Sequence, residues 1–370
     1  MTTTKPRLFS PFKLRELALA SRIVVSPMCQ YSAIDGRATD WHRVHWGQLM
    51  QANAGLVFIE ATAVTPVGRI TPGCLGLYDD GCEEAIARGL AFARAAAPPV
   101  PVAIQLAHAG RKGSRTPPWD GGRGVAPGDG DWETVAPSAL AFQPGDPVPR
   151  AMTRQDLDEV RDAFVAAARR AERIGLDAVE LHFAHGYLLD EFLSPLANRR
   201  EDAYGGTFEG RIRFPLEVFA AVRDAWRAPR PLGVRISATD WVDGGWTLED
   251  SLALAVRLRA LGCDFIDVSS GGVSPLQKIP LGPGYQVPLA RAVRAASSMA
   301  TIAVGLITDP AQADALIAAG DADLVALARG ILWDSRWPWH AAAALGAHVH
   351  VPRQYTRAAP MGAQGVIAKR

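Results

Sequence analysis

Short aliphatic runs alternate with longer amphipathic segments along almost the whole chain. The runs, rich in Val, Ile, Leu and Ala, cover residues 23–26, 56–61, 100–105, 178–182, 232–236, 265–269, 301–304 and 324–328. Such runs predict strands, and strands separated by helical stretches predict a parallel sheet built from βαβ units. With eight units in 370 residues, we expect an α/β fold whose strands close into a single (β/α)8 TIM barrel, a single domain over residues 1–370.

The segments between the runs carry signals for where helices begin and end. Thr153 and Asp156 have the spacing of a capping box, and Thr247 with Asp250 repeats it. After Thr153 the apolar residues recur every three or four positions, so one stripe of that helix should face the sheet. Helices are therefore expected over residues 153–174 and 252–261, followed by Gly175 and Gly262 respectively.

Two segments interrupt the alternation. Residues 107–150 hold many of the glycines and prolines, which predicts a long irregular insertion after the third strand. In a barrel such a loop lies over the catalytic face. Residues 346–370 lack periodicity and are expected to form a C-terminal arm that packs on a neighbouring subunit.

Charge and composition exclude several classes of function. The chain has 39 Lys and Arg against 38 Asp and Glu, which argues against a surface for nucleic acid or anionic lipid. No apolar stretch of ~18 residues exists to span a bilayer. Charged residues at Lys5, Arg7, Lys13 and Arg15 leave no apolar segment for a signal peptide. We therefore expect a cytoplasmic protein without nucleic-acid or membrane partners.

Common cofactor and nucleophile motifs are missing. The four cysteines form no C-x-x-C pair, which argues against zinc-ribbon, iron–sulfur and thioredoxin-like sites. No G-x-G-x-x-G lies between a strand and a helix, so a dinucleotide must bind transiently or by other means. None of the five lysines lies at the C-terminal end of a predicted strand, which argues against a Schiff-base aldolase.

The fourth run ends in two histidines and a tyrosine. If the chain leaves the strand at His182 and turns after Gly186, the imidazoles of His182 and His185 converge on the catalytic face. Such a pair can bind a carbonyl oxygen, hold a metal or be structural. Carbonyl binding is favoured because zinc normally takes a third protein ligand. Tyr187 is either a proton donor or an aromatic residue that packs at a helix start.

The late strands carry features of a phosphate site. Glycines or other small residues follow the last three runs, where backbone N–H groups can approach a phosphate closely. Arg329, after the eighth run, supplies a guanidinium that can form two charge-assisted hydrogen bonds to a phosphate. The loops after the seventh and eighth strands are the usual phosphate position in barrels, although these glycines can equally serve turns. Gln105 and Arg235, near the ends of the third and fifth runs, are interpreted as ligand contacts.

Four motifs together resemble those of the Old Yellow Enzyme family of FMN-dependent ene-reductases. They are S-P-M-C-Q-Y at residues 26–31, Q-L-A-H-A-G-R-K at 105–112, E-L-H-F-A-H-G-Y-L-L at 180–189 and N-R-R-E-D-A-Y-G-G at 198–206. The positions of Arg235, Gly305 and Arg329 agree with the same family. Cys29 with Tyr31, and Q-Y-T-R at residues 354–357, resemble its thermophilic-like branch.

The resemblance implies a role for each matching residue. The isoalloxazine ring of a tightly bound FMN would be lined by Pro27, Met28, Cys29, Ala61, Gln105 and Arg235, and the ribityl phosphate held by Gly271, Gly305, Ala328 and Arg329. His182 and His185 would bind the substrate carbonyl, Tyr187 would donate the proton, and Tyr31 would close the pocket. Arg357 would reach into the partner's active site in a homodimer or homotetramer.

The resemblance also implies a reaction. NADPH or NADH would act as a transient reductant, and the C=C bond of α,β-unsaturated carbonyl compounds would be reduced. Two alternatives remain at this point. One is a metal-dependent hydrolase that uses the same histidines, and the other is a non-catalytic barrel that serves as a binding module.

Overall fold

In a computed structural model, which describes residues 6–126 and 128–368, eight parallel strands close into a barrel. These strands are β3 (Ile23–Val25), β4 (Leu56–Ala63), β5 (Val102–Ala107), β8 (Ala178–Phe183), β9 (Leu232–Ser237), β10 (Phe265–Ser269), β11 (Ala300–Ala303) and β12 (Leu324–Leu327). Neighbouring strands follow one another around the barrel in the order β10-β11-β12-β3-β4-β5-β8-β9. All eight predicted strands are present, with ends that differ by two residues at most. The prediction of a (β/α)8 barrel is confirmed.

Helices follow the barrel strands and surround them. They are α1 (Asp40–Gln51), α2 (Asp80–Ala96), α3 (Arg154–Ile174), α4 (Leu188–Leu193), α5 (Phe208–Ala225), α6 (Leu248–Ala260), α7 (Val287–Ser297), α8 (Pro310–Ala319), α9 (Arg329–Trp333) and α10 (Trp337–Leu345). Both capping boxes form, at Thr153 and at Thr247. Helix α6 begins earlier than expected because the cap at Thr247 satisfies the backbone donors of the turn that follows it directly.

Apolar side chains fill the N-terminal end of the barrel. Val24, Phe58, Phe265 and Leu324 belong to one buried cluster inside the strands. A hairpin of β1 (Phe12–Leu14) and β2 (Leu17–Leu19), which the sequence pattern did not predict, closes this end with Leu14 and Leu19. Gly233 leaves room for the Phe265 ring, since a Cβ there would lie 2.4 Å from it. The C-terminal end of the barrel is therefore the end left for a ligand.

The insertion lies over that C-terminal end. It contains the short strands β6 (Val135–Ala136) and β7 (Arg150–Ala151) and two short 3-10 helices (Gly110–Lys112 and Pro118–Asp120), joined by irregular segments. Within it, the Trp119 ring meets the edge of Tyr31 at 5.8 Å between centroids, and Arg111 Nη2 donates to Val273 O at 2.8 Å. Pro127, which belongs to the predicted insertion, lies outside the described residues.

The tail after α10 packs back on the barrel. Val349 and Ile367 form a β-bridge, and the Tyr355 ring lies 5.9 Å from the Trp339 ring. Residues 369 and 370 of the predicted arm lie outside the described residues. Among the helices that the structure describes, none has the length and apolar content needed to cross a membrane.

Candidate active site

The imidazoles of His182 and His185 converge at the C-terminal end of the barrel. His182 lies on β8, and the chain turns immediately after it through His185, at φ +62°, and Gly186, at φ +70°. The two imidazole centroids are 5.1 Å apart, and the Tyr187 ring lies 5.0 Å from that of His182. Two imidazoles and a phenol therefore share one small region.

Contacts from three other segments hold the His185 turn in its left-handed backbone conformation, which is uncommon for a non-glycine residue. Lys112 Nζ donates to the carbonyl of His185 at 2.7 Å and to that of Gly272 at 3.0 Å. The His185 N–H donates to Ser237 Oγ at 2.9 Å. Gly272 packs directly on the turn, because a Cβ there would lie 2.4 Å from His185 Cα. The position of His185 is therefore set by its tertiary contacts.

The two imidazoles are neutral at physiological pH. Burial lowers the pKa of His182 and of His185 well below the usual value, and the nearby charges of Arg235 and Lys112 lower both further. The Ala184 N–H donates to Nδ1 of His182 at 3.2 Å. In a neutral ring the proton must then be on Nε2. His182 is thus a hydrogen-bond donor through Nε2.

Tyr187 stays protonated in this environment. Burial raises the pKa of its phenol well above the usual value, and Cys29 and Tyr31 raise it further. The Lys112 ammonium lies 5.0 Å from the centroid of the Tyr187 ring. A cavity beside the phenol is lined in part by Ala61 and by Cys74. A protonated phenol next to an open space is able to give its proton to a bound molecule.

Two buried carboxyl groups orient the polar side chains inside the barrel. Gln105 Nε2 donates to Glu180 Oε1 at 2.7 Å, which leaves the amide oxygen of Gln105 as an acceptor. Arg235 Nε lies 3.4 Å from Asp267 Oδ2, and within the described part of the chain this nitrogen has no hydrogen-bond partner. A buried guanidinium with unused donors suits a negatively charged or carbonyl-bearing ligand.

A cavity of about 180 Å³ opens between the last barrel strands, and its lining suits a phosphate-bearing ligand. Its lining includes Arg235, Gly305, Ala328 and Arg329. Gly305 has φ +122°, and a Cβ at this position would lie 2.9 Å from Gln286 Nε2. Small residues at the wall and two guanidinium groups match the donors that a phosphate requires, so these residues fit the group that the sequence predicted.

The remaining candidate residues lie in three other segments: the loop after β3, the turn after β10 and the C-terminal tail. Pro27, Met28 and Cys29 form a half-buried loop after β3, which a hydrogen bond from Gln30 N to Glu60 Oε1 at 2.9 Å anchors. Gly271 belongs to the turn after β10, where its carbonyl accepts from Ser237 Oγ at 2.6 Å, and it is not among the lining of the phosphate cavity. Arg357 is exposed in the C-terminal tail.

Sequence reasoning assigned no role to several polar residues of this site. Lys112 reaches it from the short 3-10 helix Gly110–Lys112, although no lysine stands at a strand end, and burial lowers the pKa of its ammonium to about 8. The thiol of Cys74 neighbours that of Cys29, and this neighbour together with burial raises the pKa of Cys29 well above the usual value. Ser269 ends β10, and this strand-end position was the only signal that could have pointed to it.

The described residues do not provide the metal ligands that the alternative hydrolase would need. Across residues 6–126 and 128–368, no three or more His, Cys, Asp or Glu side chains are grouped so that they could hold a metal ion. His185 Nε2 forms a hydrogen bond with Ser269 Oγ at 2.7 Å, and His182 Nδ1 accepts from a backbone amide. Each ring therefore already uses one of its nitrogens.

Known proteins with the same architecture carry out flavin chemistry. Residues 7–347 match the model of the NADH:flavin oxidoreductase / NADH oxidase family, an FMN oxidoreductase family. The chain is 44% identical over 356 residues to an NADPH dehydrogenase of Geobacillus thermodenitrificans, covering 95% of this chain and 98% of that protein. It is 42% identical over 358 residues to an NADPH dehydrogenase of Halalkalibacterium halodurans, with the same coverage of 95% and 98%.

Solved structures agree with these relatives. Morphinone reductase superimposes with a TM-score of 0.78 at 27% identity, over 94% of this chain and 92% of that one. Morphinone reductase in complex with tetrahydroNAD superimposes with a TM-score of 0.74 at 26% identity, over 99% of both chains.

Proposed function

The chain belongs to the NADH:flavin oxidoreductase / NADH oxidase family, and from this premise we propose that it reduces the C=C bond of α,β-unsaturated carbonyl compounds. It is an oxidoreductase with FMN as its cofactor and NADPH or NADH as its reductant. The observation that carries the proposed reaction is the pair of neutral imidazoles next to a protonated phenol at the open end of the barrel. The family is one of oxidoreductases, and the described residues offer no group of side chains that could hold the metal of a hydrolase.

We propose that FMN lies along the C-terminal end of the barrel. Arg329, with the backbone at Gly305 and Ala328, holds its phosphate, and Arg235 faces the part of the ring where negative charge collects on reduction. Gln105 and the loop residues Pro27, Met28 and Cys29 line the ring together with Ala61. For Gly271 we propose an indirect role, since its carbonyl anchors Ser237 beneath the His185 turn.

When bound, FMN supplies the hydride chemistry between a nicotinamide and the β-carbon of the substrate. His182 and His185 bind the carbonyl oxygen of the substrate, on which enolate charge develops. Because both donors are fixed before the charge appears, they stabilise it without reorganisation. Tyr187 donates its proton to the α-carbon. Tyr31, held on the insertion through Trp119, limits the size of the pocket.

A spectrum of the purified protein tests this function. We expect a yellow protein with flavin absorption that bleaches anaerobically on addition of NADPH or NADH and returns on addition of cyclohexenone. A colourless preparation that gains no activity with added FMN contradicts the proposal. Bleaching that cyclohexenone does not reverse contradicts the alkene substrate but not the flavin.

The phosphate assignment predicts weaker FMN binding in Arg329→Ala. Loss of one charge-assisted hydrogen-bonding group should raise the dissociation constant of FMN roughly 10- to 100-fold. Titration of FMN fluorescence with apoprotein measures this constant. Arg227→Ala, which removes an arginine between α5 and β9 at the opposite end of the barrel, is the matched control. An unaltered dissociation constant in Arg329→Ala would rule out the phosphate contact.

We also propose how the protein assembles and where it is located. Arg357 is exposed in the C-terminal tail, and the family resemblance supports its entry into the partner's pocket in a homodimer or homotetramer. The balanced charge supports small-molecule substrates and a cytoplasmic location without nucleic-acid or membrane partners.

A further inference from the structure

We propose that Ser269 is a positioning residue that keeps the single ring proton of His185 on Nδ1, so that His185 donates to the substrate oxygen through Nδ1 while His182 donates through Nε2. This inference rests on the proposed function, because it takes a carbonyl oxygen as the acceptor. It assigns a role to a serine at the wall of the cavity proposed for FMN, which acts on the substrate oxygen only through His185.

The central contact joins Ser269 to the ring of His185. Ser269 is the last residue of β10 and is 5% exposed. Its Oγ lies 2.7 Å from His185 Nε2. A neutral imidazole has one N–H group, so this contact has two possible forms. Either the hydroxyl donates and the proton of His185 is on Nδ1, or Nε2–H donates and Nδ1 has only a lone pair.

The environment of Gln286 decides between these two forms. Gln286 Nε2 donates to Val304 O at 2.9 Å, which turns the amide oxygen towards the serines. That oxygen accepts a hydrogen bond of 2.6 Å from Ser270 Oγ, whereas Ser269 Oγ lies 3.4 Å away from it. The hydroxyl proton of Ser269 therefore has its better acceptor in His185 Nε2, because 3.4 Å is beyond the usual length of an O–H···O bond.

The consequence is a matched pair of donors. A backbone amide at Ala184 occupies Nδ1 of His182, and a hydroxyl at Ser269 occupies Nε2 of His185. Each contact fills one nitrogen as an acceptor and leaves the other as an N–H donor. If the hydroxyl of Ser269 is lost, His185 is free to hold its proton on Nε2. Its Nδ1 lone pair would then face the substrate oxygen, and one of the two donors would be missing.

The backbone of His185 does not depend on this serine. The left-handed turn is held by Lys112, Ser237 and Gly272. Removing only the Ser269 hydroxyl should therefore change where the proton of His185 resides and leave the turn in place. This separation makes the role of Ser269 measurable apart from folding.

The test compares three variants in the FMN-bound protein. Ser269→Ala removes the hydroxyl, Ser269→Thr keeps it, and Ser21→Ala removes a buried serine hydroxyl near the opposite end of the barrel. The main readout is ¹⁵N NMR of protein labelled at histidine, which distinguishes a protonated from an unprotonated ring nitrogen, with His185→Gln used to assign the signals. We expect a protonated Nδ1 of His185 in the wild type, Ser269→Thr and Ser21→Ala, and a signal shifted towards protonated Nε2 in Ser269→Ala.

Two further measurements connect the proton to the reaction. The infrared C=O stretch of bound cyclohexanone, an unreactive ketone, should move to higher frequency in Ser269→Ala because one donor is weakened. The rate of alkene reduction should fall roughly 10-fold in the same variant, less than the loss of a complete oxyanion donor, and recover with threonine.

The outcomes separate this inference from the proposed function. A protonated Nε2 of His185 in the wild type, or a Ser269→Ala spectrum identical to it, overturns the role of Ser269. If the tautomer responds as expected but the wild-type enzyme reduces no enone, the proposed function fails while the contact stands. If Ser269→Ala does not bind FMN, the tautomer is read in the apoproteins, where the same shift is expected.

Discussion

Replacing His182 and His185 together by alanine is expected to slow alkene reduction by roughly 10³- to 10⁴-fold. The physical reason is that both donors are in place before enolate charge develops, and the loss of one such donor commonly costs 10²- to 10³-fold. The combined effect is smaller than the product of the single effects because the two imidazoles act on one oxygen. The barrel should still fold, since the turn around His185 is fixed mainly by backbone contacts.

Single-turnover stopped flow, in which pre-reduced enzyme is mixed with cyclohexenone, measures this rate. The matched control is His348→Ala with His350→Ala, which removes two histidines of the tail. FMN content is determined for each variant, so that loss of cofactor is not mistaken for loss of the donors. A double variant that reduces cyclohexenone at the wild-type rate would show that the imidazoles do not bind the carbonyl.

The same donors predict how the wild-type rate responds to pH. Burial lowers the pKa of His182 and His185, so neither ring gains a proton as the pH falls through the ordinary histidine value near 6.5. The rate of alkene reduction should therefore show no histidine titration around pH 6.5. A sigmoidal change centred near 6.5 would mean that burial does not lower the pKa of these rings.

The second large effect is expected for Tyr187→Phe, which should slow alkene reduction by roughly 10²- to 10⁴-fold, the usual contribution of a positioned general acid. The phenol is the proton donor to the α-carbon in the proposed reaction, and burial keeps it protonated because its pKa lies well above the usual value. Flavin reduction by NADPH requires no proton from Tyr187, so its rate should stay within about twofold of the wild type.

Stopped-flow measurement of both half-reactions checks this separation. Tyr78→Phe is the control, since it also removes a phenol with a raised pKa, one that donates to the carbonyl of Asp35 at 3.2 Å. Equal slowing of both half-reactions in Tyr187→Phe would contradict the role as proton donor. If alkene reduction by Tyr187→Phe is slow but becomes faster at lower pH, water supplies the proton in place of the phenol.

The barrel was predictable because its determinants are local. Each strand is a short aliphatic run, and each capping box lies within four residues, so both are visible in the sequence without knowledge of the fold. The N-terminal hairpin was missed because three-residue strands are too short to produce a period. The convergence of His182 and His185 was also predictable, because a strand end and a following glycine determine where the chain turns.

The chemistry of the same histidines depends on contacts between distant parts of the chain. Ser269 meets the His185 ring across 84 positions, and Lys112 meets its carbonyl across 73. No local pattern encodes such pairs, because they arise only when the barrel closes and brings the strand ends together. Gly271 shows the same limit, since its carbonyl accepts a hydrogen bond from Ser237 Oγ, 34 positions away in the chain.

By itself the sequence determined the eight-stranded barrel and the family resemblance, and it predicted which residues bind a cofactor and a carbonyl, because periodicity and short motifs carry that information. Only the tertiary structure decided that both imidazoles are neutral, which of their nitrogens are occupied, and which lysine and serine support them. The reason is physical: a proton's position depends on burial and on the nearest donor or acceptor, and in a barrel those neighbours come from other strands.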